Sequence, residues 1–266
     1  MNRIDATFQN LTQKNEAALV GFVTAGDPDM ATSEEIIARM CENGVDILES
    51  GVPFSDPTAD GPVIQRAATR ALKHRIALKD IMGMCARLRR KTSVPLILFS
   101  YYNPIMAYGP EAFYRDAIDC GADGLLVVDL PPEEADELIG EWQPDAFSLI
   151  RLIAPTTPKE RMERISGSAS GFIYLVSTTG VTGSGGLDTS EIHPQADTLR
   201  QMTGLPICVG FGISTPEHVA AISGFAEGVV IGSAFERLIE ENLENPELPD
   251  VIGSQTRAFK EATRRG

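Results

Sequence analysis

Two carboxylates, Glu49 and Asp60, bracket a loop in the stretch Val45–Gln65, VDILESGVPFSDPTADGPVIQ. The stretch opens as a strand: Val45, Ile47 and Glu49 fall on one face at period two, so an apolar row ends in a carboxylate. Ser50–Pro57 is too rich in glycine, proline and serine to be anything but a loop. Asp60 then precedes Gly61-Pro62, the pattern of a helix start. Two acids at a strand exit and across one loop suit proton transfer, and in folds with parallel strands such exits are where chemistry is done. Each acid also has a plain structural reading. An Asp before Gly-Pro is a common helix N-cap, and a Glu after a short apolar run is often just the first polar residue outside.

Phosphate chemistry is signalled later in the chain. Gly210-Phe211-Gly212 and Gly232-Ser233 each follow a short apolar run. Glycines there let backbone N–H groups approach an anion closely, and a short helix starting near Ala234-Phe235 would aim its positive end at it. Glycines are also ordinary turn residues. No Walker or dinucleotide motif occurs, so a nucleotide is not implied. The polar, glycine-rich segment Ser177–Ser190, STTGVTGSGGLDTS, reads as a mobile lid or as a plain surface loop. Thr182 is the candidate to meet a catalytic carboxylate when such a lid closes. The six lysines all lie outside the expected strands, and His74, His193 and His218 fall in helices or the loops leading into them. A Schiff-base lysine and a catalytic zinc therefore lack their residues. What remains is acid–base chemistry by carboxylates, with no metal and no cofactor in this chain.

What must position these groups is a regular alternation of elements. Strands are expected at Ala18–Val23, from Val45, and at Pro95–Ser100, Gly124–Val128, Phe147–Ile153, Gly171–Val176, Leu205–Val209 and Glu227–Ile231. An amphipathic helix with Ile4, Phe8 and Leu11 on one stripe precedes them. Further helices are expected at Ala31–Asn43, Val63–Leu72, Leu78–Arg90, Pro110–Ile118, Glu133–Gly140, Pro158–Ile165 and Ile192–Thr203, from Thr215, and at Phe235–Asn242 and Val251–Thr263. Tyr101-Tyr102-Asn103-Pro104 reads as an exit loop. The strands are continuous apolar runs, as in a parallel sheet buried on both faces. Eight strand–helix units predict an α/β fold, a (β/α)8 TIM barrel, as one domain over residues 1–266. An extra helix stands at the N-terminus and a short one after strand 8; a doubly wound open sheet is the alternative. The composition, 43% hydrophobic and 23% charged, is that of a globular chain, and its net charge of -14 argues against a nucleic-acid or anionic-membrane surface. The four cysteines lack metal-ligand spacing and read as buried, reduced thiols. With no signal peptide and no apolar run near the ~20 residues of a bilayer span, a cytoplasmic location is expected.

The residues that carry these signals resemble the tryptophan synthase alpha chain family. The resemblance lies in Glu49–Pro57, Ala59–Pro62 and Ile64-Gln65, and in Gly21–Pro28, Tyr101–Pro104, Gly180–Gly183 and Gly210–Ile213. It covers essentially the whole chain. It implies a lyase that cleaves indole-3-glycerol phosphate, by a retro-aldol reaction, to indole and glyceraldehyde 3-phosphate in tryptophan biosynthesis. On that resemblance Glu49 handles the protons, Asp60 accepts a hydrogen bond from the indole N–H, and the Tyr174 hydroxyl assists. Thr182 locks onto Asp60 on lid closure. The phosphate belongs at Gly212 and Gly232-Ser233, with Gly183 and the backbone near Phe211. The indole slot draws on Phe22, Ile64, Leu126 or Val128, Tyr174 and Ile231. The resemblance further implies a beta-chain partner in an alpha2-beta2 heterotetramer, receiving indole through a tunnel and carrying pyridoxal phosphate. The contact face would include Pro53, Asp56, Pro57, Tyr101, Asn103 and Asp129.

The chain departs from the family pattern at Thr58, where leucine is usual, at Ala68, where a polar residue is usual, and in Ser184-Gly185-Gly186, which lack an arginine after the Thr182-Gly183 pair. These bear on lid closure and partner coupling. Other readings are a stand-alone lyase releasing indole, a non-catalytic phosphate-binding scaffold that activates a partner, and a phosphosugar isomerase. The intact Glu49 and Asp60 speak against the scaffold; the lack of a His or Lys at a strand exit speaks against the isomerase.

Overall fold

Short apolar runs can be buried on both faces only if each face is covered, and here every run is a strand between two apolar layers. The strands are β1 (Ala18–Thr24), β2 (Ile47–Gly51), β3 (Leu96–Ser100), β4 (Gly124–Val127), β5 (Ser148–Ile153), β6 (Ile173–Val176), β7 (Ile207–Gly210) and β8 (Gly228–Ile231). Each pairs in parallel with the next, and β1 pairs with β8, so the sheet closes on itself as a (β/α)8 barrel. The computed structural model describes residues 2–135, 138, 142, 146–177, 189–190, 192–210 and 212–265.

Alternation along the strands sorts side chains into two clusters. Val20, Ile47, Ile97, Leu126, Ile150, Tyr174, Cys208 and Val230 point into the barrel. Their neighbours, such as Leu19, Leu48, Leu98, Leu125 and Val229, pack outward beneath the helices. The amphipathic stripe at the N-terminus has a specific use. Helix α1 (Arg3–Gln13) places Ile4, Phe8 and Leu11 in the inner cluster, with the Phe8 ring 5.9 Å from that of Phe172. It closes the N-terminal end of the barrel. Asp123, buried at the base of β4, holds it there by accepting from Arg3 at 2.7 Å, while its other oxygen takes Arg89 at 2.6 Å and the Leu96 amide at 2.8 Å. The opposite, C-terminal mouth is left for chemistry.

Four details differ from the sequence reading. Strand β2 begins at Ile47, and Val45 packs in the outer cluster rather than on the inward row. Ile231 also faces outward, so it does not reach the indole slot; Val230 takes the inward place. Tyr102–Tyr108 forms a helix where a loop is expected. Pro104 is its third residue, in the first turn, where no amide donor is needed. The helix after β8 runs from Ser233 to Glu241, starting two residues earlier than the hydrophobic pattern suggests. The helix expected at Glu133–Gly140 lies largely outside the described residues; its start is a 3-10 turn at Pro132–Glu134. No helix among the described residues is long and apolar enough to cross a membrane.

Candidate active site

The strand register fixes the geometry of the mouth. Glu49 is the third residue of β2, opposite Phe22 on β1 and Ile97 on β3. Its inward direction follows from Ile47 two residues before it. The side chain is fully buried, which rejects its reading as a first polar residue outside. Neither carboxylate oxygen has a hydrogen-bond partner among the described residues. Burial is the one cause acting on this carboxyl, and it pushes the pKa from 4.5 up to about 8. At neutral pH the proton stays on.

Asp60 sits across the loop, half-buried. The helix Pro62–Lys73 takes Gly61 as its N-cap without a side-chain bond, so Asp60 is not the cap. Instead its carboxylate receives the hydroxyl of Tyr101, and the same hydroxyl accepts the Ala59 amide at 3.0 Å. Burial raises the pKa of Asp60, and the Tyr101 bond works in the opposite direction. The loop is further tied by Gln65, whose side-chain amide donates to the Asp60 carbonyl at 2.8 Å. Tyr101 is only 3% exposed and its ring lies 5.1 Å from Phe54. It braces the loop that carries Asp60 and offers almost nothing to a contact surface.

A cavity of about 410 Å3 opens between these groups. Glu49, Asp60, Phe22, Ile64, Tyr174, Gly212, Gly232 and Ser233 all line it. Of the expected catalytic and substrate residues that are described, these eight lie on this one cavity, whereas Leu126, Val128 and Ile231 do not line it. Thr182, Gly183 and Phe211 lie outside the described residues. Leu126 lies buried in the inner cluster, while Val128 packs half-buried at its edge. The apolar wall is completed by Phe99, Val230 and Ile213. The Phe22 ring meets Phe99 edge-on at 5.0 Å. A Cβ on Gly51 would collide with the Phe22 ring, and one on Gly210 with the Tyr174 hydroxyl, so these two glycines make room for the walls of the slot. Burial, and the nearby Glu49, raise the pKa of Tyr174, which keeps its hydroxyl protonated.

The polar end is built from backbone. Gly212 adopts a left-handed φ of 73° after β7, and Ser233 opens the helix after β8. The free amides of that first turn face the cavity end that Gly232 and Ser233 line. Behind it stands a group of charges that the sequence did not reveal. Arg70 donates to both oxygens of the buried Asp27, at 2.8 and 2.7 Å, and to Glu240 at 3.0 Å. Arg66 holds Glu240 by two further bonds of 2.7 Å. The buried Glu236 accepts the Thr24 amide, and burial raises its pKa. These bonds clamp the Pro62–Lys73 helix, which follows Asp60, to the Ser233–Glu241 helix. Both walls of the cavity are thereby fixed relative to one another. Among the described residues no cluster of His, Cys, Asp and Glu forms a metal site.

Of the residues expected on a partner face, Asp56, Asn103 and Asp129 are exposed, Pro57 is half-buried and Pro53 is buried. Asp129 accepts the Tyr102 amide at 2.7 Å, which joins the β3 and β4 exits.

An acid that holds its proton, a polar acceptor opposite it, an apolar slot between and an amide-lined end fit a substrate with a flat ring and a phosphate. Comparison with known proteins gives the same direction. The profile of the "Tryptophan synthase alpha chain" family matches residues 8–263. The tryptophan synthase alpha chain of Desulfosudis oleivorans is 60% identical over 264 residues, covering 99% of this chain and 100% of the relative. That of Desulfatibacillum aliphaticivorans is 58% identical over the same span. The crystal structure of tryptophan synthase subunit alpha from Legionella pneumophila superposes with a TM-score of 0.91 at 39% identity, over 99% of this chain and 98% of that one. A structure of Mycobacterium tuberculosis tryptophan synthase superposes with a TM-score of 0.90 at 31% identity, over 100% and 99% of the two chains. The chain belongs to the tryptophan synthase alpha chain family, lyases that cleave indole-3-glycerol phosphate to indole and glyceraldehyde 3-phosphate in tryptophan biosynthesis and work with a beta chain.

Proposed function

We propose that Glu49 and Asp60 carry the cleavage, with the substrate's indole in the apolar slot and its phosphate at Gly212, Gly232 and Ser233. The observation that carries this reading is Glu49: fully buried, without a partner among the described residues, and protonated at neutral pH. The first step needs an acid. The Glu49 carboxyl gives its proton to the indole carbon that bears the glycerol chain, and the ring becomes a cationic indolenine. Asp60 accepts the ring N–H and stabilises that positive charge. The Glu49 carboxylate then takes the proton of the hydroxyl on the adjoining chain carbon. The hydroxyl becomes a carbonyl, the carbon–carbon bond breaks, and its electron pair returns to the ring. Glu49 ends protonated, as it began. The Tyr174 hydroxyl faces the same space and assists by orienting the hydroxyl that reacts.

The phosphate reading rests on the left-handed turn at Gly212 and the helix start at Ser233, both on the cavity wall. Thr182, Gly183 and Phe211, on the expected lid and the β7 exit, complete the site on closure. The partner reading follows the family: an alpha2-beta2 assembly whose beta chain holds pyridoxal phosphate and takes up indole. Asp56, Pro57, Asn103 and Asp129 form the contact face on this chain, on the loops around the mouth. This chain itself needs no cofactor for the chemistry above, and a cytoplasmic location suits the pathway.

The test is indole release from indole-3-glycerol phosphate by the native chain, Glu49→Gln and Asp60→Asn, each with and without a beta chain. Loss of release in Glu49→Gln, and a rise on adding the beta chain to the native protein, are the expected results. Release undiminished in Glu49→Gln would leave the substrate standing and remove the mechanism.

A further inference from the structure

The cavity has a charge problem. The substrate brings a phosphate dianion to a chain of net charge -14, into a space already lined by the Asp60 carboxylate. Backbone amides supply only partial charges. Among the described residues lining the cavity, one is a cation: Arg237. It lies four residues after Ser233 on the same helix, so the two side chains share a face one turn apart. Side chains on a helix lean toward its N-terminus, so the Arg237 stem is directed back toward Gly232 and Ser233. Its neighbours are engaged: Arg70 holds Asp27 and Glu240, and Arg66 holds Glu240. Arg237 is exposed and forms no ion pair with the described residues.

We propose that Arg237 is the counter-ion of the substrate phosphate, a specificity-determining residue that selects the phosphorylated glycerol chain at the helix start. This deepens the reading of Gly212, Gly232 and Ser233 as the phosphate cradle and rests on it. The guanidinium contributes full charge and a planar pair of donors, which match phosphate oxygens. Because it reaches from solvent, it acts on binding and leaves the proton transfers at Glu49 untouched.

The experiment compares the native chain with Arg237→Ala, Arg237→Lys and Ser233→Ala. It measures KM and kcat for indole-3-glycerol phosphate at two ionic strengths, and inhibition constants for inorganic phosphate and for indole. Thermal melts accompany each variant; Arg237 is exposed, so Arg237→Ala folds as the native chain does. In Arg237→Ala, KM and the inhibition constant for phosphate rise about three- to fivefold, as fits loss of one charge pair that solvent screens in part. In the same variant kcat stays within about twofold, indole inhibition is unchanged, and the salt dependence of KM flattens. Arg237→Lys keeps most of the affinity. If Arg237→Ala matches the native chain in KM and phosphate inhibition while Ser233→Ala raises both, the cradle stands and the role of Arg237 falls. A drop in kcat alone overturns it as well. If phosphate fails to compete in the native chain and Ser233→Ala changes nothing, the cradle reading falls and takes the Arg237 proposal with it.

Discussion

The acid at the barrel mouth makes the pH dependence of cleavage a direct test of the mechanism. Glu49 is held at a pKa of about 8, against 4.5 for an ordinary glutamate, with burial as the cause. Each tenfold change in the protonation equilibrium is about 1.36 kcal/mol, so the displacement represents on the order of 5 kcal/mol of lost hydration of the carboxylate. In the proposed mechanism the protonated form starts the reaction. The dependence of kcat/KM on pH therefore has an alkaline limb with its midpoint near 8, falling about tenfold per pH unit beyond it. In the same proposal Asp60 is ionised to hold the indole N–H, and burial raises its pKa too. That sets an acid limb above the usual carboxylate range. In Asp60→Asn the acid limb disappears and the alkaline limb stays. In Glu49→Gln the rate falls by roughly 10²–10⁴-fold, the usual contribution of a positioned acid–base group. Initial rates of indole release between pH 5 and 10 give both limbs, and carbon-13 shifts of labelled glutamate carboxyls give the titration of Glu49 directly. A kcat/KM that keeps rising through pH 8, or a Glu49 that titrates near 4.5, would refute the reasoning, since either requires the carboxylate to act first.

The same burial is visible in stability. A carboxyl whose pKa is raised in the folded state lends full stability below the unfolded value and loses it as pH rises toward the folded one, by at most about 1.4 kcal/mol per pH unit. Glu49→Gln, which cannot ionise, gains on the native chain between pH 4.5 and about 8 and levels off above; thermal melts across that range check it. Arg70→Ala leaves the fully buried Asp27 without its bidentate partner and unclamps Glu240. A loss of about 2–3 kcal/mol in urea unfolding is expected, below the full figure for a buried pair because Arg70 is partly exposed. Gly210→Ala drives a Cβ into the Tyr174 hydroxyl and the Val230 side chain. It costs about 1–3 kcal/mol and lowers kcat/KM by about tenfold or more through the displaced tyrosine, read by urea unfolding and indole release.

Much of the site was legible because its residues lie close together in the chain and obey simple spacing. Ile47 and Glu49 are two apart on a strand, and Asp60 follows across one loop whose prolines and glycines announce it. Gly212 and Gly232-Ser233 declare themselves by following strands. The phase of a strand buried on both faces is harder to read. In the run Gly228–Ile231 two valines and an isoleucine are all apolar, and only the register with β1 and β7 sends Val230 inward and Ile231 outward. Val45 is ambiguous for the same reason: nothing in its type marks it as lying before the strand. The Tyr102–Tyr108 helix was hidden by a proline that the first helical turn tolerates.

What sequence spacing cannot supply is pairing across the barrel. Arg70 meets Asp27 over 43 residues and Glu240 over 170, and no local pattern links them. Tyr101 is the sharper case. Its place in an exit loop and its resemblance to a contact residue both suggest exposure, yet its hydroxyl lies on Asp60 and its ring is buried. The buried bond has a consequence. Tyr101→Phe removes the one described hydrogen-bond donor on the Asp60 carboxylate, and with it the influence that opposes burial there. The pKa of Asp60 then rises further, and the acid limb of kcat/KM moves to higher pH while the alkaline limb, set by Glu49, stays where it is. A contact residue with no tie to Asp60 would instead change the response to the beta chain and leave both limbs of the lone chain unmoved.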